Sequence, residues 1–392
     1  MQVEREKILY VGRVGMPTDA AGIRIYNIAK ILREIGYDVD FICDREDSSL
    51  GETLKQYDGF TYSYNRSKER PKLLRVMGNF YELVVAKKVF ARVKDYCERN
   101  NPAAIILYND LYSLTKQLIK YGKKNDIKLI ADVTEWYEKR KSKNLSDKIV
   151  PYFTDKRIKK LDKKVHNVIS ISPYLHNYYS NLGCNTILIP PIINVPTELD
   201  IKKHNYYSDY VLNLVYAGSQ GSKDVLWPIL NAIEIINSEK IKVRIDLVGI
   251  DYMDLKDNWK DICFEDKAII AHGRLPHEKT LKIVKDADFG VLLRHNKRYA
   301  KAGFSTKFAE CMSYGVPMIC NSVGGAESII DSMNNGVVID NFNVDTLSDI
   351  LDNLIQMDKN NILKIRKNAY EKAKLLYNGT NYKTTFSNFL RE

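Results

Sequence analysis

A chain of 392 residues is too long for one ordinary core and suits two domains of roughly 150–200 residues each. With 45% apolar and 28% charged residues its composition is that of a globular protein, and no stretch approaches the roughly 18 unbroken apolar residues of a membrane span. The net charge of +11 is unevenly placed: Lys139–Lys164 holds eleven Lys or Arg against three Asp, a net +8. Such a segment is either a solvated helix or a surface that attracts anionic lipid or a phosphorylated acceptor. With no binding motif and no stacking pattern of aromatics beside the charge, nucleic acid is not expected as a partner. The apolar start Ile8–Val11 is too short for a signal-peptide core. The six cysteines, Cys43, Cys97, Cys184, Cys263, Cys311 and Cys320, show no metal-ligand spacing. A cytoplasmic protein with reduced thiols is expected, peripheral at the inner face of the membrane if the basic segment binds lipid.

In chain order, short β-branched runs alternate with helix-period stretches, the signature of parallel strands joined by crossover helices. The first half offers strands at Ile8–Gly12, Val39–Cys43, Ala104–Tyr108, Leu129–Val133, Val168–Ser172 and Thr186–Ile189. After Ile189 the run PPIINVPTELDIKKHN breaks both periodicities and marks a linker, with the boundary near Pro196. The second half offers strands at Leu214–Ala217, Val243–Val248, Ala268–His272, Phe289–Leu293, Pro317–Asn321 and Val337–Asp340. The expected fold is α/β, with two Rossmann-like doubly wound parallel-sheet domains, 1–196 and 197–392, facing a cleft. The last helix is expected to pack back on the first domain.

Three loops carry candidate chemistry. After the first strand, Gly12, Gly15 and Gly22 do not form GxGxxG, which argues against a dinucleotide cofactor. Gly15 and Gly22 either let the backbone approach an anion at the start of the following helix or form a plain tight turn. The second loop, in VYAGSQGSKD, carries Gly218, Ser219 and Lys223 and lacks the spacing of a P-loop; Lys223 either faces a diphosphate or is solvated. In the third, RYAKAGFSTKFAECMSYGVP, Gly303 and Phe304 precede Ser305 and Thr306, either of which can cap a helix. The unpaired amides and positive dipole end of that helix suit a diphosphate. Lys307 and Glu310, three apart, share a face there, to neutralise phosphate and to accept hydrogen bonds from a ribose diol; the alternative is a surface ion pair. Asp132 and Glu135 close a first-half strand at its carboxyl end, where open α/β sheets bind ligands. Each can orient an acceptor hydroxyl, or serve as a cap and an exposed charge. The string Asp286-Ala287-Asp288 resembles a metal-binding DxD only in letters, and no carboxylate or histidine cluster has ligand spacing.

The stretch AGFSTKFAECMSYGVP resembles the C-terminal domain of GT-B glycosyltransferases, specifically glycosyltransferase family 4. Glu310 falls on the second glutamate of that family's motif and Gly303–Phe304 on its GF. The early glycine loop, SPYLHNYY, IPPIIN, YAGSQGSKD and HGRLPHEKTLKIVKDADFGVLL follow the family's order over nearly the whole chain. The resemblance implies that Glu310 holds the donor ribose, that the backbone from Phe304 to Lys307 meets the diphosphate, and that Lys223 neutralises it. Gly15 and Gly22 are then expected to approach the donor phosphates from the first domain. Two residues depart from the family: Ala302 stands at its first glutamate and Ser219 at its basic residue. Lys307 and Arg294 are expected to supply the missing positive charge.

The expectation is a bacterial, metal-independent hexosyltransferase with no cofactor. It moves a sugar from a nucleotide diphosphate-sugar donor, with retention, to a lipid-linked or surface-polysaccharide acceptor. The leaving diphosphate is stabilised by fixed amides and lysines. Two alternatives stay open: a nucleotide-sugar epimerase, and a catalytically silent GT-B partner protein, which Ala302 and Ser219 would suit.

Overall fold

The computed structural model describes residues 5–16, 19–47, 54–66, 78–138, 146–200, 210–218, 223–258 and 268–392. It divides into two compact units. The first is Met1–Ile192 with Lys301–Phe304 and Gly379–Glu392; the second is Ile193–Ala300 with Ser305–Asn378.

The first unit holds β1 (Lys7–Gly12), β2 (Asp38–Asp47), β3 (Leu54–Tyr57), β4 (Phe60–Arg66), β5 (Ala104–Tyr108), β6 (Lys128–Val133), β7 (Asn167–Ser170) and β8 (Asn185–Leu188). They form one sheet in the order β3-β4-β2-β1-β5-β6-β7-β8, parallel except for the β3–β4 pair. Runs such as AIILY in β5 are apolar almost throughout because helices cover both faces of a parallel sheet. The helix Ala20–Glu34 crosses from β1 to β2, and Tyr112–Asn125 from β5 to β6. The last helix, Lys383–Arg391, buries Phe386 and Phe389 in this unit's core beside Ile31 and Ile192. The β3–β4 hairpin was not expected. It turns on Asp58-Gly59, both at positive φ (48° and 76°), the dipeptide that two-residue hairpins favour.

The second unit holds β9 (Leu212–Ala217), β10 (Val243–Val248), β11 (Ile269–Gly273), β12 (Phe289–Leu292), β13 (Met318–Asn321) and β14 (Gly336–Ile339). All pairs are parallel and the order is β11-β10-β9-β12-β13-β14, the doubly wound arrangement whose direction reverses between β9 and β12. Asp288, in the letters that resembled a metal motif, is fully buried; it accepts from the Asn213 amide at 2.8 Å and lies 3.9 Å from buried Arg366.

Asp132, expected to face an acceptor, is corrected by this fold. At the end of β6 its side chain turns into the layer between the sheet and the helix Ala20–Glu34, where it is fully buried. Arg24 reaches it at 2.8 Å and Tyr10 donates to it at 2.5 Å, while Arg24 also donates to the carbonyls of Ile189 and Pro190. Both carboxylate oxygens are committed, so Asp132 holds the helix to the sheet. Asp132→Ala leaves the Arg24 charge buried without its partner, which typically costs about 3–5 kcal/mol. Denaturant unfolding should show a loss of that size, and a change under about 1 kcal/mol would contradict the role.

Candidate functional site

Doubly wound sheets leave a crevice beyond the strand ends where their order reverses. In the second unit the chain leaving β9 passes Gly218 and returns at Lys223 and Asp224. The chain leaving β12 continues into Arg294, and Asp224 and Arg294 pair as an isolated antiparallel bridge. The backbone of Arg294 is pinned on both sides by the Asn321 amide, 2.9 Å to its N–H and 2.8 Å to its carbonyl. Sequence spacing alone does not bring these segments together; the strand order does.

Four side chains meet there. Asp224 accepts from Arg294 Nε at 2.7 Å on one oxygen, and from Lys307 Nζ at 2.6 Å and the Tyr216 hydroxyl at 2.7 Å on the other. Lys307 also donates to the Tyr216 hydroxyl at 3.1 Å and lies over its ring, 4.3 Å from the centroid. Lys307 packs so closely on Gly218 that a Cβ at that position would overlap its ammonium. Burial works to raise the Asp224 pKa, but Lys307 and Arg294 outweigh it and hold the carboxyl at about 2. Lys307 is pulled below the usual lysine value, first by desolvation and then by Arg294, against the opposing effect of Asp224. Arg294 binds Asp224 through Nε alone, and among the described residues neither of its Nη groups has a partner.

The helix Thr306–Ser313 begins beside this cluster, with Ser305 in the N-cap position. Ser305 does not cap the helix through its side chain: its Oγ is buried and has no hydrogen-bond partner among the described residues. Thr306 is exposed. The first amides of the helix are therefore met by neither hydroxyl, the condition that favours an anion at a helix start. One turn on, Glu310 is partly buried with His277 Nε2 at 3.5 Å. Burial raises the Glu310 pKa, with His277 pulling the other way.

Lys307, Arg294, Gly218, Ser305, Thr306 and Glu310 thus lie on adjoining elements of one unit. Lys223 is half-buried immediately before Asp224, and Ser219 lies outside the described residues. Asp224 and Tyr216, which organise the cluster, were not singled out from the sequence. Gly303 and Phe304 are half-buried in the short stretch that belongs to the first unit, and Phe304 packs against that unit's core. Ala302 is fully buried in the same core, and its carbonyl accepts from the Ser172 hydroxyl at 2.7 Å. The amides of Gly15 and Gly22 correct a further expectation. They donate to the two oxygens of Asp19 at 2.8 and 2.7 Å, so an internal carboxylate already occupies the start of the helix Ala20–Glu34. Glu135 is half-buried in the loop after β6.

In the basic segment, residues 139–145 lie outside the described residues. The helix Ser146–Arg157 passes through a π turn, Ile158–Asp162, into Lys163–Val165. Lys148, Lys159, Lys160, Lys163 and Lys164 are exposed beside Val150 and Tyr152. Arg157 is not part of that face: it is buried, donates to the Asp110 carbonyl at 2.8 Å and lies 3.5 Å from Asp162. Phe153 is half-buried against Tyr112. No helix among the described residues is long and apolar enough to cross a membrane. Nor do those residues include a group of three or more His, Cys, Asp or Glu placed to hold a metal ion.

A carboxyl held at about 2 stabilises the fold in full above the unfolded value near 3.9, and the contribution is lost as pH falls through the folded value. For Asp224 this amounts to on the order of 2 kcal/mol. Urea unfolding of the wild type should lose that much more stability between about pH 5 and about pH 2 than Asp224→Asn does. Parallel losses in the two proteins would remove the carboxylate from the acid transition.

Residues 212–375 match the family described as Glycosyl transferases group 1. Among curated proteins, none matches the chain. Solved structures similar to it include sucrose-phosphate synthase from Thermosynechococcus elongatus, at 15% identity with 99% of this chain and 98% of that one covered and a TM-score of 0.74. HepE from Anabaena, solved in complex with UDP-glucose, gives 15% identity, 98% and 99% coverage and a TM-score of 0.66. A glycosyltransferase from Rickettsia africae gives 14%, 99% and 98%, and 0.67. At these identities the likeness shows the fold: two parallel-sheet α/β domains of the GT-B type.

Proposed function

We propose that this chain, whose residues 212–375 belong to the group 1 glycosyl transferases, moves a sugar from a nucleoside diphosphate donor to an acceptor. The observation that carries the reading is the convergence of Lys307, Arg294 and the uncapped start of the helix Thr306–Ser313 where the second sheet reverses direction. Breaking a glycosyl–phosphate bond leaves negative charge on the diphosphate, and preorganised cations and amides lower the barrier by meeting that charge as it develops. Lys307 and Arg294 take this role, with Lys223 at the end of the same loop. The buried Ser305 hydroxyl is placed to donate to a phosphate oxygen. Glu310, on the next turn, accepts from the ribose diol. HepE, of similar fold, was solved with UDP-glucose, which supports a nucleotide-sugar donor here.

The finer reading is a metal-independent, retaining hexosyl transfer of glycosyltransferase family 4 type, in bacterial surface-polysaccharide assembly. Two side-chain cations and a helix dipole for the diphosphate support metal independence. For the acceptor side, Glu135 remains the candidate to orient a hydroxyl, since Asp132 is committed to Arg24. Ala302 favours a second reading, a silent GT-B partner protein, because the position that carries an acid in family 4 here holds a methyl group packed in a core.

One experiment separates these readings. The purified protein is incubated with a panel of nucleotide sugars and candidate acceptors, with and without excess EDTA, and released nucleotide is followed. Acceptor-dependent release that survives EDTA is expected. Losing a desolvated charge contact to the diphosphate typically costs about 2–5 kcal/mol, so Lys307→Ala should slow release about 30-fold to several-thousand-fold, and Lys223→Ala in the same direction. The matched nucleoside diphosphate should raise the melting temperature of the wild type, and less so that of Glu310→Ala. Release without acceptor would point to an epimerase. Absence of turnover with every donor would favour the silent reading. Loss of activity in EDTA with recovery on added magnesium would overturn metal independence.

The lipid-linked acceptor is supported by the exposed lysines of the 146–164 region beside Val150 and Tyr152, which suit a peripheral hold on an anionic membrane. Each cation near such a surface contributes about 1 kcal/mol and is screened by salt. Sedimentation with phosphatidylserine vesicles should be lost at high salt, and lost at low salt when Lys160, Lys163 and Lys164 are changed to Glu. Equal binding by that variant would remove the segment from the account.

A further inference from the structure

Lys307 and Arg294 approach one carboxylate, and Lys307 is enclosed by Tyr216, Gly218 and its own helix. Lys307 is partly buried, and an ammonium partly withdrawn from water next to a guanidinium is inclined to lose its proton, because desolvation and like charge both favour the neutral amine. A neutral lysine cannot stabilise a leaving diphosphate. The question the geometry raises is what keeps this lysine charged. Among the described residues, the titratable and charged groups that act on it are Asp224, on the segment after β9; Tyr216, on β9; Arg294, after β12; and Cys311, on its own helix. The Tyr216 hydroxyl points to the same Asp224 oxygen as the ammonium, and Cys311 is a fully buried thiol whose own pKa burial pushes up to about 12. Arg294 opposes the charge. That leaves Asp224, 2.6 Å from Nζ, as the one carboxylate of the set.

We propose that Asp224 is the positioning residue of the anion site: it holds Lys307 as an ammonium beside Arg294 and fixes both cations at one spacing. It acts through Lys307 and Arg294 and does not itself touch the ligand, because both of its oxygens are taken by these groups and Tyr216. The cluster then carries one net positive charge before ligand arrives, and among the described residues nothing pairs with the Nη edge of Arg294, which can take an anion. The proposal deepens the reading of this site as a diphosphate site and rests on it for the ligand, though not for the ionisation of Lys307.

The first measurement therefore needs no nucleotide. Lysine acylation is followed by peptide mass spectrometry across about pH 6 to about pH 10, below and up to the usual lysine value near 10.4. In the wild type the onset for Lys307 should fall below that of an ordinary lysine. In Asp224→Asn the onset should move at least one pH unit lower, while Asp224→Glu should label like the wild type. Arg294→Gln removes the opposing charge and should move the onset upward; it keeps the test open if Asp224→Asn does not fold. The same onset in all variants would overturn the proposal.

The second measurement is titration with UDP and GDP over the same pH range. Wild-type affinity should stay level until Lys307 titrates. In Asp224→Asn it should fall from the lower onset by about tenfold per pH unit, the mark of one coupled proton. A pH-independent loss of affinity in Asp224→Asn would assign Asp224 a purely structural part and overturn the proposal. If the wild type binds no nucleoside diphosphate while the labelling shift is present, the diphosphate reading fails and the assignment of Asp224 stands.

Discussion

Two like charges cannot be held side by side in a poorly hydrated pocket unless a charge of opposite sign lies between them. In the second unit that charge is Asp224, and much of the local architecture follows from it. Tyr216 on β9, Arg294 beyond β12 and Lys307 on the helix Thr306–Ser313 come from distant parts of the chain, and each ends on the same carboxylate. The reversal of strand order between β9 and β12 opens the space, and the ion cluster fixes what lines it. The helix that bears Lys307 and Glu310 is itself anchored from behind: Arg366, fully buried, donates to the carbonyls of Gly315 and Lys285 at 2.9 and 3.2 Å. Lys307 therefore sits on a rigid element rather than a loop.

The first unit solves a related problem with the signs exchanged. Its buried carboxylate, Asp132, is held by a single arginine and a tyrosine, and a second carboxylate, Asp19, closes the start of the helix Ala20–Glu34. Both are satisfied internally. Among the described residues each unit also holds buried polar atoms without a partner, on Arg157 and Asp162 in the first and on Ser305 in the second. Polar groups left unsatisfied in a native structure call for a ligand or another explanation, and in the second unit one of them, the Ser305 hydroxyl, lies two residues from Lys307.

The doubly wound fold was legible because parallel strands buried on both faces are nearly continuous apolar runs, and the expected strands from Ile8–Gly12 to Val337–Asp340 all have counterparts. The β3–β4 hairpin was missed although YDGF carries its turn signal, because its strands lack the apolar run that marked the others. Lys307 and Glu310 were legible from their spacing on a helix. Asp224 was not: it directly follows Lys223, and nothing in two adjacent opposite charges says which one turns inward. Asp132 was misread for the reverse reason. A carboxylate at a strand's carboxyl end looks functional until a partner such as Arg24, 108 residues away, is known to cover it. Gly15 and Gly22 were read as ligand-facing because the sequence does not reveal that Asp19 turns back onto their amides.

The way the chain is shared between the units has a consequence for its folding. The polypeptide passes from one unit to the other at Ile192–Ile193, Ala300–Lys301, Phe304–Ser305 and Asn378–Gly379. Ala302 and Phe304, excursions from the second half, complete a core otherwise made of residues before 185, and Phe386 and Phe389 complete another. A ribosome that has released residues 1–192 has therefore made a sheet whose core still lacks side chains from residues 379–392. The first unit cannot finish packing until residues 379–392 have been made, so the usual order in which an N-terminal domain folds first gives way here to a joint completion of both units.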